Sequence, residues 1–340
     1  MSEQDIEILR QQVNNLTNSH RQSPDFETAV ALYKSRCELA EQLTGRAETP
    51  YKIWPPANIP DLFADKKTVI PEVTASELTP ELALSAIVHH SCIMVRGMFD
   101  RETALSMVDD AWSVLTPMLD GSYDSKGSYP DEIWPKFGPC RGMRKNAMNE
   151  KSLLIGDSPE LTFRVLEAFG KSGLTRLVSS LFGEQPALLW SKWGFRHVPP
   201  ETVKMIRDTG LSPWHQDGTF MGTEIRVINA WISLCDCGRD APGMHILPKK
   251  VGPVKTGTGN AARHDVVGED MVAALSADNP VYAPEFHIGD VLLFDKYLLH
   301  RTQPYNEQMV NTRYAIESWF AAPSNYHASP LHGMYPVIAC

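Results

Sequence analysis

Residues 214–218 read Trp-His-Gln-Asp-Gly, and among the 11 histidines of the chain His215 alone has a carboxylate two residues further on. On a strand, residues two apart face the same side, so His215 and Asp217 would reach one metal ion together. Such a triplet arises often by chance and is weak by itself. A third candidate ligand, His300, follows the apolar run at 289–294, which we expect to continue as one strand to His300.

Two histidines and one carboxylate on one face of an octahedral metal leave three positions open. This set suits non-haem Fe(II), which then binds a bidentate cosubstrate and O₂. Arg313, near the start of a predicted strand at 312–320, offers a two-pronged donor to the far carboxylate of a diacid such as 2-oxoglutarate. Thr302 lies two residues after His300, hence on the same strand face, where its hydroxyl can donate to that carboxylate.

From about residue 186 the chain consists of short apolar or alternating runs separated by Gly, Pro and Asp. Many short strands late in a chain predict a sandwich or barrel, here a jelly roll, mainly β with flanking helices packed outside. The predicted strands are 187–198, 225–234, 245–247, 291–294 and 312–320.

The first half of the chain has helical patterns with capping signals at their starts. These signals are Ser23-Pro24, Thr79-Pro80, Asp100 and Ser158-Pro159, and residues 117–150 have a loop-like composition. We predict two parts, a helical extension with a proline-rich linker over 1–76 and an oxygenase domain over 77–340. The extension is a candidate contact for a homodimer.

The formal net charge of −9 disfavours a binder of nucleic acid, which needs clustered Lys and Arg. No apolar run approaches the ~20 residues that span a bilayer, and the N-terminus lacks a signal peptide's features, so we expect a cytoplasmic protein without membrane partners. Cys235 and Cys237 form a lone Cys-x-Cys, which we interpret as ordinary positions at a strand end rather than a metal or redox site.

From about residue 78 to 320 the sequence resembles the phytanoyl-CoA dioxygenase (PhyH-like) family of Fe(II)/2-oxoglutarate-dependent oxygenases. The segments that carry the resemblance are 78–82, 93–99, 214–217, 229–234, 243–248 and 289–290, followed by His300, Thr302 and Arg313. The resemblance implies a double-stranded β-helix, Fe(II) on His215, Asp217 and His300, and 2-oxoglutarate held by Arg313 and Thr302. The chain departs from the family at Pro248-Lys-Lys-Val, and residues 1–75 have no counterpart.

Four further residues are weaker candidates for a substrate pocket: Trp231, Trp193, His197 and Arg144. Core packing or a solvated surface is the ordinary role of such residues. The expected partners are a small-molecule substrate and O₂, and the expected reaction is hydroxylation of a C–H bond with decarboxylation of 2-oxoglutarate to succinate.

Desaturation, epoxidation or cyclisation at the same iron in secondary metabolism is the first alternative. A non-catalytic or 2-oxoglutarate-independent, cupin-like metal protein is the second. Arg313 and Thr302 argue against independence from 2-oxoglutarate, and the full triad argues against a non-catalytic role. The sequence does not identify the substrate.

Overall fold

The computed structural model describes residues 2–44, 56, 58–120, 152–209, 213–221, 225–325 and 336–339. The helices are α1 (Glu3–Gln22), α2 (Phe26–Leu43), α3 (Pro80–His90), α4 (Arg101–Asp120), α5 (Pro159–Ser172), α6 (Leu174–Phe182), α7 (Pro200–Thr209), α8 (Gly218–Met221) and α9 (Glu269–Leu275). The strands are β1 (Glu72–Thr74), β2 (Cys92–Arg96), β3 (Leu153–Leu154), β4 (Ala187–Val198), β5 (Val227–Ser233), β6 (Met244–Ile246), β7 (Val291–Asp295), β8 (His300–Thr302), β9 (Arg313–Ala321) and β10 (Pro336–Ile338).

The chain forms two compact units. The first comprises residues 1–52, 105–196 and 317–340, and the second comprises 53–104 and 197–316. Across the described residues, the helices lack the combination of length and apolar character that a membrane crossing requires.

In the first unit, α1 and α2 pack together through an apolar seam that includes Ile6, Val13 and Leu39. Ala187 of β4 and Ile338 of β10 complete the same cluster. In this unit β4 lies between β10 and the C-terminal half of β9, and β3 pairs with β4. The N-terminal helices therefore bury their apolar face against strands, which stabilises helices that would be marginal alone.

Most of the predicted helix starts are confirmed. Thr79 caps α3 with a hydrogen bond from Leu82 N, and Ser158 caps α5 in the same way. The prediction at Ser23 is wrong, because the side chain of Asp25 accepts from Thr28 N and caps α2 instead.

Asp100 caps α4 as predicted, since its carboxylate accepts from Thr103 N. The helix then passes through Pro117 to Asp120, so the predicted loop start at 117 is wrong by one turn. Helix α7 was not predicted; it starts at the second residue of Pro199-Pro200, a proline pair that resembles a linker in sequence. Proline at the first position of a helix is favourable because the missing N–H would have no partner there.

In the second unit, the larger sheet has the strand order β1-β2-β7-β5, followed by the start of β9. β1 pairs parallel with β2, whereas β2–β7 and β7–β5 are antiparallel, with Val95 opposite Val291 and Trp231 opposite Leu292. Every residue of β5 and β7 is buried, which matches their near-continuous apolar sequences.

A second, small sheet in this unit pairs β6 with β8, placing Ile246 opposite His300 and Met244 opposite Thr302. The strand predicted at 291–294 is confirmed as β7, but its expected continuation to His300 is wrong. The chain turns after β7, where Asp295 accepts hydrogen bonds from the main-chain N–H groups of Tyr297 and Leu298. This turn moves His300 out of the larger sheet and into the small one.

Candidate active site

The two histidines of the predicted triad meet through the backbone. His215 N donates to His300 O at 3.0 Å, and His300 N donates to His215 O at 3.1 Å. This antiparallel bridge stands outside the named strands, so the prediction that His215 lies on a strand is only locally correct. The bridge brings the two imidazole centroids to 4.3 Å.

Both imidazoles are oriented by a carbonyl two residues earlier in the chain. His215 Nδ1 lies 3.1 Å from Pro213 O, and His300 Nδ1 lies 3.0 Å from Leu298 O. A carbonyl accepts only, so each Nδ1 carries the proton and each Nε2 keeps its lone pair. This arrangement is typical of metal-binding histidines, whose second nitrogen fixes the tautomer.

Asp217 completes the cluster at the point where the chain turns into α8. Its two carboxylate oxygens lie 3.9 Å from His215 Nε2 and 3.7 Å from His300 Nε2. Asp217 is buried, and its Oδ2 has no hydrogen-bond partner among the described residues. A buried carboxylate oxygen without a partner is costly, and a cation between the three side chains removes that cost.

The three side chains together fit a single metal ion. Their ligand atoms all lie within 4.8 Å of one another. Two imidazole nitrogens and one carboxylate are the donor set of non-haem Fe(II) sites with open positions.

Gln216, between His215 and Asp217, was not singled out by sequence reasoning. It is buried, and its Nε2 donates to Gly252 O at 2.7 Å and to Tyr297 O at 2.6 Å. Its Oε1 accepts from Val254 N at 2.7 Å. The amide therefore joins the metal motif to two loops that are distant in sequence, and its position between His215 and Asp217 was the only available signal.

A partly buried ion pair also holds the loop after β6. Lys250 Nζ contacts the carboxylate of Asp295 and donates to Ile87 O at 3.0 Å. Burial raises the pKa of Asp295, while the ammonium of Lys250 opposes that rise. Because Asp295 also shapes the turn before His300, the pair links this loop to the position of His300.

Arg313 begins β9 and is buried. Its Nη1 donates to Gly243 O at 3.0 Å, and its guanidinium carbon lies 5.7 Å from the ring centroid of Trp231. Gly243 O also accepts from Gln303 N, and the side-chain oxygen of Gln303 accepts from Gly243 N. The guanidinium is thus fixed by an aromatic face and by a carbonyl that Gln303 holds in place.

Glycine at position 243 is required by close packing. A Cβ there would lie 2.7 Å from the Cα of Gly238. Gly243 precedes Met244, which pairs with Thr302 in the small sheet. Arg313 therefore contacts the sheet rung next to Thr302, and Thr302 shares a strand face with His300.

The remaining predicted pocket residues lie in different surroundings. The Trp231 ring packs on Phe286 with centroids 4.6 Å apart, beside Arg313. Trp193 belongs to the first unit, where it is buried near Phe169. His197 lies 5.4 Å from the ring of Tyr314, a neighbour of Arg313 that faces the other side of β9. Arg144 is outside the described residues.

The outer face of the small sheet carries a group that sequence reasoning did not anticipate. His245 lies opposite Arg301, whose guanidinium contacts Glu269 and lies 4.7 Å over the ring of Trp214. Burial, helped by the positive charge of Arg301, lowers the pKa of His245 to about 4. His245 is therefore neutral at pH 7 and lies on the face opposite to that of His300.

An apolar cluster supports the metal motif from the same side. Trp214, Leu247, Val267, Val272 and Leu299 are buried together. Val267 N donates to Trp214 O at 2.8 Å, which attaches the long segment before α9 to the residue preceding His215. The segment between β6 and β7 is therefore part of the support of the site.

Comparison with known proteins gives both a family and a fold. The family model of phytanoyl-CoA dioxygenase (PhyH) matches residues 142–308, which include His215, Asp217, His300 and Thr302 and end before Arg313. No curated protein sequence matches the chain significantly.

Among solved structures, EctD from S. alaskensis with 2-oxoglutarate and 5-hydroxyectoine is 15% identical with a TM-score of 0.50, covering 74% of this chain and 79% of that chain. AviO1 from Streptomyces viridochromogenes Tue57 is 14% identical, covering 74% of this chain and 99% of that chain, with a TM-score of 0.45. SnoK, a non-haem α-ketoglutarate-dependent carbocyclase from nogalamycin biosynthesis, is 14% identical over 74% and 86%, with a TM-score of 0.45.

The likeness to EctD confirms the predicted double-stranded β-helix fold. The match over residues 142–308 confirms the resemblance found in the sequence. Residues 142–308 therefore match the phytanoyl-CoA dioxygenase (PhyH) family, which supports an Fe(II)/2-oxoglutarate-dependent dioxygenase.

Proposed function

We propose that this dioxygenase hydroxylates a C–H bond of a small organic molecule, with Fe(II) on His215, Asp217 and His300 and with Arg313 binding the far carboxylate of 2-oxoglutarate. The observation that carries the proposal is the buried, unpartnered Oδ2 of Asp217, which lies 3.7 Å from His300 Nε2. A buried Asp217 carboxylate that faces two oriented nitrogen lone pairs is costly unless a cation lies between the three side chains.

The residues divide the work between holding the metal and positioning the cosubstrate. When bound, Fe(II) supplies the chemistry that couples O₂ reduction to decarboxylation of 2-oxoglutarate and oxidation of the substrate. The carbonyls of Pro213 and Leu298 hold the proton of each neutral imidazole on Nδ1, which leaves Nε2 as the ligand atom. Asp217 supplies the negative charge that favours a divalent ion over a neutral guest.

The length of the cosubstrate supports the assignment of Arg313. Thr302 lies two residues after His300 on β8, and its partner on β6 is Met244. The carbonyl that accepts from Arg313 belongs to Gly243, the residue before Met244. At ~3.3 Å per residue, the guanidinium lies roughly 7 to 10 Å along the sheet from His300. A five-carbon diacid spans ~5 Å between its end carbons. One end can therefore reach the metal ligands while the other contacts Arg313 and the hydroxyl of Thr302.

Aromatic side chains shield this path from water. Phe294 packs edge-on against His300 with centroids 5.1 Å apart, and Trp231 with Phe286 covers Arg313. A low-dielectric surrounding strengthens the pairing of a guanidinium with a carboxylate. The same shielding protects a reactive centre from side reactions with water.

The proposed surroundings of the enzyme follow from the sequence. A small-molecule substrate and O₂ are its partners, in the cytoplasm and without nucleic acid or membrane. The segment 1–76 is the proposed dimer contact, and a role in secondary metabolism is part of the same proposal.

Metal content tests the ligand set. Wild type is expected to hold one Fe(II) per chain and to give a weak visible band when 2-oxoglutarate is added without O₂. His300→Ala is expected to lose both, because two ligands cannot define the facial site. The matched control is His245→Ala, on the paired strand β6 but on the opposite face, which is expected to keep both. Full iron binding by His300→Ala would disprove the assignment.

Turnover tests the reaction. A mass-spectrometric screen of small molecules is expected to find a product that gains one oxygen atom, with one succinate formed per product. A product that has lost two hydrogens would instead indicate desaturation or cyclisation. Turnover that does not require 2-oxoglutarate would exclude the proposed class of reaction.

A further inference from the structure

The chain between β7 and β8 turns at residues 295–298, and this turn contacts each part of the predicted ligand set. Three successive carbonyls of the turn accept hydrogen bonds from segment 215–218 and from His300. The donors and acceptors are Gly218 N to Lys296 O at 2.8 Å, Gln216 Nε2 to Tyr297 O at 2.6 Å and His300 Nδ1 to Leu298 O at 3.0 Å. Two of the donors lie next to His215 or Asp217 and the third belongs to His300, so the turn orients all three candidate ligands.

Segment 215–218 packs closely on the turn. A Cβ at Gly218 would lie 3.1 Å from Lys296 O and 3.2 Å from Cε1 of Tyr297, closer than ordinary van der Waals contact. Glycine therefore lets the main chain after Asp217 approach the carbonyl to which it donates. Because a protein interior is close-packed, a shift of the turn is transmitted to the position of Asp217.

The turn is itself anchored by Asp295. One oxygen of this carboxylate accepts from Tyr297 N at 2.8 Å, and the other contacts the ammonium of Lys250. Asp295 N also donates to Ser91 O at 2.9 Å, and Lys250 Nζ donates to Ile87 O at 3.0 Å. Both partners of the ion pair are therefore attached to the C-terminal end of α3, which gives the turn a fixed point outside the ligand set.

Lys250 lies in the segment Pro248-Lys-Lys-Val, where the sequence departs from the family that it resembles. The ion pair is thus a feature of this chain and is not implied by the resemblance. The side chain of Asp295 is 10% exposed and that of Lys250 31%. Removal of the lysine would leave a buried carboxylate without a counterion, and such a charge disturbs its surroundings.

We propose that Lys250 and Asp295 are positioning residues of the metal centre, and that their ion pair fixes the turn whose carbonyls orient the ligands. The pair acts through residues 296–298 and does not itself bind the metal. Loss of the pair is expected to displace the three carbonyls together, so that the geometry of the whole ligand set changes. The effect on the metal rests on the proposed function, whereas the effect on the turn does not.

Histidine ¹⁵N NMR of the metal-free chain tests the turn without a metal. In alkaline buffer, where imidazoles are neutral, His300 of the wild type is expected to carry its proton on Nδ1, because Leu298 O accepts from that atom. Lys250→Met is expected to give a mixture of the two tautomers. Lys250→Arg keeps the charge and is expected to keep the wild-type signal. Lys249→Met is the matched control, since it removes a lysine charge from the same loop while the ion pair of Lys250 stays.

Co(II) tests the effect on the ligand set. The ion is titrated into the full chain in competition with a coloured chelator, and its visible absorption bands report the ligand geometry. Lys250→Met is expected to bind Co(II) about tenfold more weakly and to show displaced bands. Lys250→Arg and Lys249→Met are expected to match the wild type in both measurements.

The double variant Lys250→Met/Asp295→Asn separates positioning from stability. It leaves no buried charge alone, so its melting temperature is expected to return towards that of the wild type. Its Co(II) affinity is expected to stay about tenfold low, because the turn still lacks its anchor.

Two outcomes would overturn the proposal. One is a double variant that regains Co(II) affinity together with stability, and the other is a Lys250→Met chain with the wild-type Co(II) bands and the wild-type His300 tautomer. If Lys250→Met does not fold, the same two measurements on the double variant decide. If the wild type binds no Co(II), the proposed function fails instead, and the tautomer measurement still decides on the turn.

Discussion

Replacement of Arg313 by leucine is expected to weaken 2-oxoglutarate binding severely while iron binding stays close to wild type. The guanidinium is buried, so its pairing with a carboxylate is shielded from solvent. Truncating one partner of a buried charge pair typically costs ~2 to 5 kcal/mol. At 1.4 kcal/mol per factor of ten, the dissociation constant should rise between about 30-fold and about 4,000-fold. Arg313→Lys should fall in between, because it keeps the charge without the two-pronged geometry.

Anaerobic calorimetry with 2-oxoglutarate on the iron-loaded chain measures this change. Arg301→Leu is the matched control, because Arg301 neighbours His300 but pairs with Glu269 on the outer face. Thermal unfolding of Arg313→Leu measures the stability lost with the hydrogen bond to Gly243 O, which we expect to be about 1 kcal/mol. Equal 2-oxoglutarate affinity in Arg313→Leu and wild type would refute the anchor, and an equal loss in Arg301→Leu would indicate a general disturbance of the sheet.

Three further changes test the support and chemistry of the site. Gln216→Leu should lower iron affinity about 10- to 100-fold by freeing two loops, as judged by metal competition; an unchanged affinity would contradict this role. His245→Gln should flatten the fall in stability between pH 6.5 and 4. In that window His245 binds a proton in the unfolded state but not in the folded state, so the free energy of unfolding falls as the pH falls. For this partly exposed ring the fall is about 1 kcal/mol. Wild type should form no chlorinated product in chloride buffer under ¹⁸O₂, because Asp217 fills the metal position that a halide would need. A chlorinated product would disprove the assignment of Asp217 as a ligand.

The features that could be predicted from the sequence are those decided by neighbouring residues. The caps at Thr79, Asp100 and Ser158 depend on a side chain and an N–H three residues apart, and all three are present. The strands β5 and β7 are buried on both faces, and their continuous apolar runs were sufficient to find them. Local chemistry therefore determined helix starts and strand positions.

The features that were missed depend on contacts between distant residues. The residues around Phe294 do not indicate in sequence that Asp295 accepts hydrogen bonds from two backbone N–H groups and thereby ends the strand. The Asp25 cap was missed for a related reason, since Ser23 and Asp25 both offer an acceptor and only packing decides which residue starts the helix.

The same distinction separates the identity of the ligands from their geometry. The His-x-Asp pattern predicts which atoms can bind a metal, but it does not predict how the two side chains are held. On a regular strand, the ladder of backbone hydrogen bonds would hold them. Here a single bridge replaces the strand, and the chain turns into α8 immediately after Asp217. The missing ladder is replaced by the amide of Gln216, whose three bonds reach residues 252, 254 and 297. In this chain the buried glutamine between His215 and Asp217 therefore supplies, with two donated bonds and one accepted bond, the support that a regular strand would give.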